Sequence, residues 1–204
     1  MRRTVLIVGA VALTVGACST PTPNGTPTPT SGGTSQSPSN PASTPPDVPK
    51  VGDPIDLARF KQAPCNTLNK SQVEELLGVA ADGKSRDGAA GPACTWVAPS
   101  TTRPLVSVVF SNEQDSGTAR IYEAKGKSYQ FLEPLEAVDG YPLTAYGIKD
   151  ERSAGRCSAA LGTSDTETIG VAAEQSEANI GKKDPCDVAR EAAIRVLATI
   201  RGGN

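Results

Sequence analysis

The chain has 204 residues, with 20 Lys and Arg against 22 Asp and Glu, five Cys and no His. Its mildly acidic balance argues against nucleic acid or anionic lipid as the main partner. The missing imidazole removes the commonest general base and metal ligand, and one Trp with three Phe limits how much core can be filled by large rings.

Residues 1–17 read as a leader. Arg2 and Arg3 form a positive start, and the uncharged apolar run from Thr4 to Ala17 has fourteen residues. That suits a signal segment and falls short of the roughly 18–20 residues of a spanning helix. The run ends in Val15-Gly16-Ala17-Cys18, which resembles the lipobox of exported lipoproteins, with Val15 where Leu is commoner. Cleavage is expected before Cys18 and lipidation on it. The chain would then sit on the extracytoplasmic face of the cell membrane, held by acyl chains worth about 0.8 kcal/mol per buried methylene. Losing Arg2 and Arg3 leaves 18 basic against 22 acidic residues, a net charge of −4.

From Cys18 to residue 50 the composition is almost all Pro, Thr, Ser and Gly, with no charge between Cys18 and Asp47 and no aromatic. Such a segment buries too little apolar surface to offset its ordering entropy, so it is expected to be a disordered tether, with Thr and Ser open to O-glycosylation. Residues 51–204 remain as one globular domain.

In that domain Asn69, with Gln72 three residues on, forms a capping box before a short helix, and Leu68 with Val73 forms a hydrophobic staple. Val73, Leu76 and Leu77 make its buried face, and Gly78 ends it in a left-handed turn. A Gly- and Asp-containing loop is expected up to Pro92. Strands are predicted over 94–97 and 105–111, the second with both faces buried, then a helix over 115–126. Further strands are predicted over 131–138, 141–148, 156–162 and 166–174. The clearest element is the last: Asp184 caps, Pro185 starts the helix, and Cys186, Ala189, Ala193, Val196, Leu197 and Ile200 share one face. The order implies an α+β fold, an antiparallel sheet covered by helices including a C-terminal one.

Cys65, Cys94, Cys157 and Cys186 remain once Cys18 is committed to lipid. An even number in an exported domain points to two disulfides, and scattered Cys without His argue against zinc. Of three possible connectivities, Cys65–Cys94 with Cys157–Cys186 is favoured, because each pair ties the start of a helix to a neighbouring strand.

Several of these motifs fall in one order: Pro64-Cys65 before Leu68, Gln72-Val73-x-x-Leu76-Leu77-Gly78, Cys94-x-Trp96, Val138-x-Gly140-x-Pro142, a strand Cys157 and Asp184-Pro185-Cys186. With the lipobox and tether they resemble an actinobacterial lipoprotein family known as domain of unknown function 3558, of the mycobacterial LprB and LprC kind. Ala63 stands where that family usually has Asp, and Leu143 where it usually has Ala. The resemblance implies location and architecture but no activity.

No nucleophile elbow, phosphate-binding glycine loop or paired-Cys redox site is present, so no catalytic residue, metal site or cofactor is expected. A non-enzymatic binding or accessory module is the leading reading, its partner an envelope protein or cell-wall component, its ligand-binding residues not nameable from sequence. The alternative is a lipid or glycolipid carrier with a cavity lined by Val106, Val108, Phe110, Phe131, Leu132 and Leu135. Trp96 reads as core. Glu174 with Glu177, Asp150 with Glu151, Lys125 with Lys127 and Lys182 with Lys183 read as solvated charge.

Overall fold

The structure, a computed structural model, describes residues 48–113 and 115–202. Cys18, the leader and the tether up to residue 47 lie outside the described residues. Seven strands form one antiparallel sheet: β1 (Gly83–Gly88), β2 (Gly91–Val97), β3 (Leu105–Phe110), β4 (Phe131–Val138), β5 (Tyr141–Gly147), β6 (Arg156–Ser164) and β7 (Glu167–Glu174). Their order is β1-β2-β3-β7-β6-β5-β4. Two meanders, β1 to β3 and β4 to β7, each pair neighbour with neighbour and join where β3 meets β7, the arrangement that short connections favour.

Period-2 alternation gives this sheet two unlike faces. On one, Cys94, Val108, Val171, Ala159 and Ala145 lie side by side across five strands, all fully buried. Helix α4 (Pro185–Ile200) covers it with Cys186, Ala189, Ala193, Val196, Leu197 and Ile200, every one of them buried, as the helical spacing predicts. Asp184 Oδ1 accepts from Cys186 N at 2.8 Å, the expected cap. Beside α4 sit α1 (Ala58–Gln62), a 3-10 turn (Pro64–Thr67) and α2 (Lys70–Leu77). In α2 both arms of the Asn69/Gln72 capping box form, at 2.8 and 2.9 Å, and Gly78 closes the helix at φ +73°. Gln72 also reaches Thr199 Oγ1 at 3.2 Å, so one side chain caps α2 and fastens it to α4.

Both disulfides pair as the sequence suggests. Cys65 in the 3-10 turn joins Cys94 on β2, and Cys157 on β6 joins Cys186 in the first turn of α4. A Cβ on Gly83 would come within 2.7 Å of both Cys94 Sγ and Trp96 Nε1, so sulfur and indole lie side by side over β1. Trp96 is core, 3% exposed.

Three local expectations differ. The segment expected as a loop before Pro92 contains β1, whose residues GKSRDG are all exposed and have no apolar alternation; its pairing with β2, Gly83↔Trp96 to Gly88↔Gly91, makes it a strand. The helix over 115–126 shortens to α3 (Thr118–Glu123), entered through Gly117 without a side-chain cap. Strand β3 is fully buried on one face only: Val106, Val108 and Phe110 are covered, and Leu105, Ser107 and Val109 are half-buried.

A cleft on the sparsely covered sheet face

Small side chains predominate at the centre of the second face of the sheet. Val109, Gly170, Ala160 and Thr144 form one row, and Ser107, Ala172, Ser158 and Tyr146 the next. Among the described residues only α3 and its flanking turns cover it, at the end where Thr144, Ala160 and Gly162 are buried. The entry to α3 is held close. A Cβ on Gly117 would lie 2.0 Å from Asp165 O in the β6–β7 turn, so only glycine allows that approach. Thr168 Oγ1 donates to Ser116 O at 2.9 Å, fixing the entry to α3 against β7. The start of the domain meets this turn too, Val51 N donating to Asp165 Oδ1 at 3.1 Å.

Between α3, the 124–129 turn and the bare part of the face lies a cleft of about 490 Å³, open on one side. Val109, Gly170, Ala89 and Ala90 belong to its apolar part, and Tyr129 with Tyr146 to its aromatic part. The two rings meet edge to face, centroids 4.9 Å apart at 65°, a geometry that sets a positive ring edge against a negative ring face. Burial pushes the Tyr146 phenol up to about 12, and Tyr129 adds in the same direction. Its hydroxyl is a neutral donor and acceptor at physiological pH, as an unshifted phenol also is. Ser111, Ser116, Ser128 and Thr168 bring hydroxyls to the lining, and Arg120, Lys127, Glu113 and Glu123 bring charges of both signs.

Under α3 the interface is polar. Thr118 Oγ1, Tyr122 Oη and Thr144 Oγ1 are buried and have no protein partner among the described residues. A second cleft, about 420 Å³, lies between α2, α4 and the ends of β3 and β7. Its Arg195 is tied to Glu191 at 2.8 Å and to Glu75 at 3.1 Å, so its principal cation is already paired.

Residues singled out from sequence fall elsewhere. Asp150, exposed, and Glu151, half-buried, are ion-pair partners: the Arg152 guanidinium holds the Asp150 carboxyl below the usual carboxylate range, and Arg156 does so for Glu151. Arg152 also reaches Glu133 at 3.0 Å and Asp184 at 3.8 Å and stacks over Phe131, linking β4 to the start of α4. Glu174 ends β7, and Glu177 opens a 3-10 turn with nothing in the structure to make the two act together. Lys125, Lys127, Lys182 and Lys183 are exposed. Of the proposed carrier residues, Val106, Val108 and Phe110 fill the closed face and are at most 1% exposed. Phe131, Leu132 and Leu135 lie on the edge strand β4. The six do not form a common cavity wall. Among the described residues no cluster of Cys, Asp and Glu has metal-binding geometry, and no helix is long and apolar enough to cross a membrane.

Residues 13–199 match the model of a family described as protein of unknown function, DUF3558. The chain belongs to the DUF3558 family. No curated protein and no solved structure matches it. The cleft of this DUF3558 chain was not named by its sequence, although one signal was there: Ser158, Ala160 and Gly162 on β6 and Thr168, Gly170 and Ala172 on β7 put only small residues on one face of each strand. A strand whose outer face carries only small residues leaves room above it.

Proposed function

We propose that this DUF3558 chain is an exported lipoprotein of the actinobacterial LprB and LprC kind, anchored through Cys18 and acting outside the cell as a non-enzymatic binding module. The observation that carries the binding reading is the cleft of about 490 Å³ on the sheet face that α4 does not cover. Its size is that of ordinary small-molecule sites, roughly 300–1,000 Å³, and it combines an apolar part with a few polar groups. The chemistry of its lining favours binding over turnover. Arg120 is bound to Glu123 at 3.4 Å, the phenol of Tyr146 is held protonated, and the hydroxyls have no imidazole to activate them because the chain has no His. The partner is an envelope protein or a wall component within reach of a membrane-anchored domain.

The test uses the full Cys18→Ser chain, secreted in soluble form, and the same chain carrying Gly170→Val, which fills the cleft floor. Cosedimentation with isolated cell envelopes should retain the first and lose most of the second. Equal retention of both would remove the cleft as the binding site, and retention of neither would remove the binding reading.

A further inference from the structure

Resting on the binding reading above, we infer that the cleft takes an uncharged saccharide, one or two sugar units of a glycan. Charge gives the first argument. The lining holds Arg120 and Lys127 against Glu113 and Glu123, which balance, so the site has no net field to select a phosphate, a carboxylate polymer or a cation. Mixed surface gives the second. A pyranose presents an apolar C–H face and a rim of hydroxyls. The cleft presents Val109, Ala89, Ala90, Ala124 and the tyrosine rings against the first, and Ser111, Ser116, Ser128 and Tyr146 against the second. An acyl chain would leave those hydroxyls desolvated without partners, at about 1–3 kcal/mol each.

The Tyr146 hydroxyl supplies the third argument. Like any phenol it is neutral at physiological pH, so it both donates and accepts, which suits a sugar hydroxyl that does the same. It stands above Gly170, where the missing side chain opens the floor: an added Cβ would have the phenol oxygen 3.6 Å away and Val109 O at 3.6 Å. A ligand there lies against backbone and against an amphoteric donor at once, with no charge to neutralise. The second cleft is balanced in charge as well, Lys182, Lys183 and Arg195 against Glu75, Glu174 and Glu191, but no aromatic ring is among its lining residues.

The experiment is NMR titration of the secreted Cys18→Ser chain with uncharged disaccharides built from N-acetylglucosamine, galactose, mannose and arabinose, and in parallel with dodecylphosphocholine micelles. Saturable shifts of Val109, Gly170 and Tyr146 amides with at least one disaccharide are expected. Gly170→Val should weaken that sugar tenfold or more, and Tyr146→Phe severalfold. Shifts at these amides from the micelles alone would overturn the saccharide while leaving a ligand in the cleft. Silence of these amides toward every disaccharide overturns it equally, and the envelope cosedimentation then decides separately whether the cleft binds anything.

Discussion

Tyr146 on β5 reaches diagonally across β6 to stand over Gly170 on β7, its hydroxyl 3.6 Å from where a methyl on that glycine would be. Two strand spacings separate β5 from β7, roughly 10 Å, so the ring must lie low over the sheet. The small side chains of Ser158 and Ala160 beneath make that possible. The covering of this phenol has a pH signature. Folded, it ionises near pH 12; unfolded, at about 10. Between those values the unfolded chain releases a proton that the folded chain keeps, so stability is full below pH 10 and falls as pH rises toward 12, by on the order of 2 kcal/mol. The ultraviolet titration of the wild type minus that of Tyr146→Phe should isolate a phenolate appearing near pH 12. A difference curve centred on pH 10 would mean that the ring is not held as described.

Gly170 on the cleft floor and Gly117 at the entry to α3 should respond in opposite directions. Gly170→Ala meets its nearest atoms at 3.6 Å, ordinary contact, on a strand without positive φ. Restricting the unfolded chain there should leave stability unchanged or raise it by about 0.5–1 kcal/mol. Gly117→Ala places a Cβ 2.0 Å from Asp165 O and 2.6 Å from its carbonyl carbon. The β6–β7 turn and α3 must then part, at a cost of about 1–3 kcal/mol. Urea denaturation of both variants reads the sign, and a Gly117→Ala protein as stable as wild type would refute this packing.

The contrast between those residues also shows what was legible in the sequence. Asn69, Gln72 and Gly78 are local signals, each acting within four residues, and α2 forms where they place it. Asp184, Pro185 and the apolar stripe of α4 behave alike, as does β4, whose predicted and observed bounds agree. Strand β1 was not legible because nothing in GKSRDG carries apolar alternation; β2 supplies its structure. The cleft was hidden for a related reason. Gly170, Tyr146 and Tyr129 are spread over more than forty residues, and only the β5-β6-β7 register brings them together. Trp96 and the disulfides could be read because their chemistry limits their neighbours, whereas a small residue gains meaning only from what crosses above it.

Loss of either disulfide should destabilise, but not equally. Both close loops with a sequence separation of 29, so the chain-entropy contribution is the same, roughly 3–4 kcal/mol. Cys94 is fully buried beside Trp96, with its partner Cys65 half-buried, whereas Cys157 and Cys186 are both buried, at 5% and 3% exposure, with no indole recorded beside them. Replacing Cys65 and Cys94 by Ala therefore adds a packing loss at the indole that the other pair lacks. The first double variant should have the lower denaturation midpoint of the two. Equal midpoints would assign the whole effect to chain entropy.

Cys18→Ser tests the proposed anchor. With the thiol gone there is no acceptor for the lipid, and a diacyl anchor is what holds a domain durably at a bilayer. The variant should leave the membrane fraction for the medium or remain as unprocessed precursor, and labelled palmitate should no longer enter it. Label that persists in the serine variant would place the lipid on another residue.

The polar interface under α3 gives the last prediction. Thr144 is 1% exposed, and its Oγ1 has no protein partner. Val has nearly the same shape, suits a strand and carries no hydroxyl to desolvate. Leaving a buried hydroxyl unpaired costs about 1–3 kcal/mol, and removing it without changing shape recovers part of that. Thr144→Val should therefore raise stability by about 1 kcal/mol in urea denaturation. A loss of stability would show that the hydroxyl has a partner in solution, and Thr118 and Tyr122, one helical turn apart on α3, carry the other buried unpartnered hydroxyls of this interface to test for such a network. Thr118→Val would then be additive with Thr144→Val if the two hydroxyls act separately, and less than additive if one bridging molecule serves both.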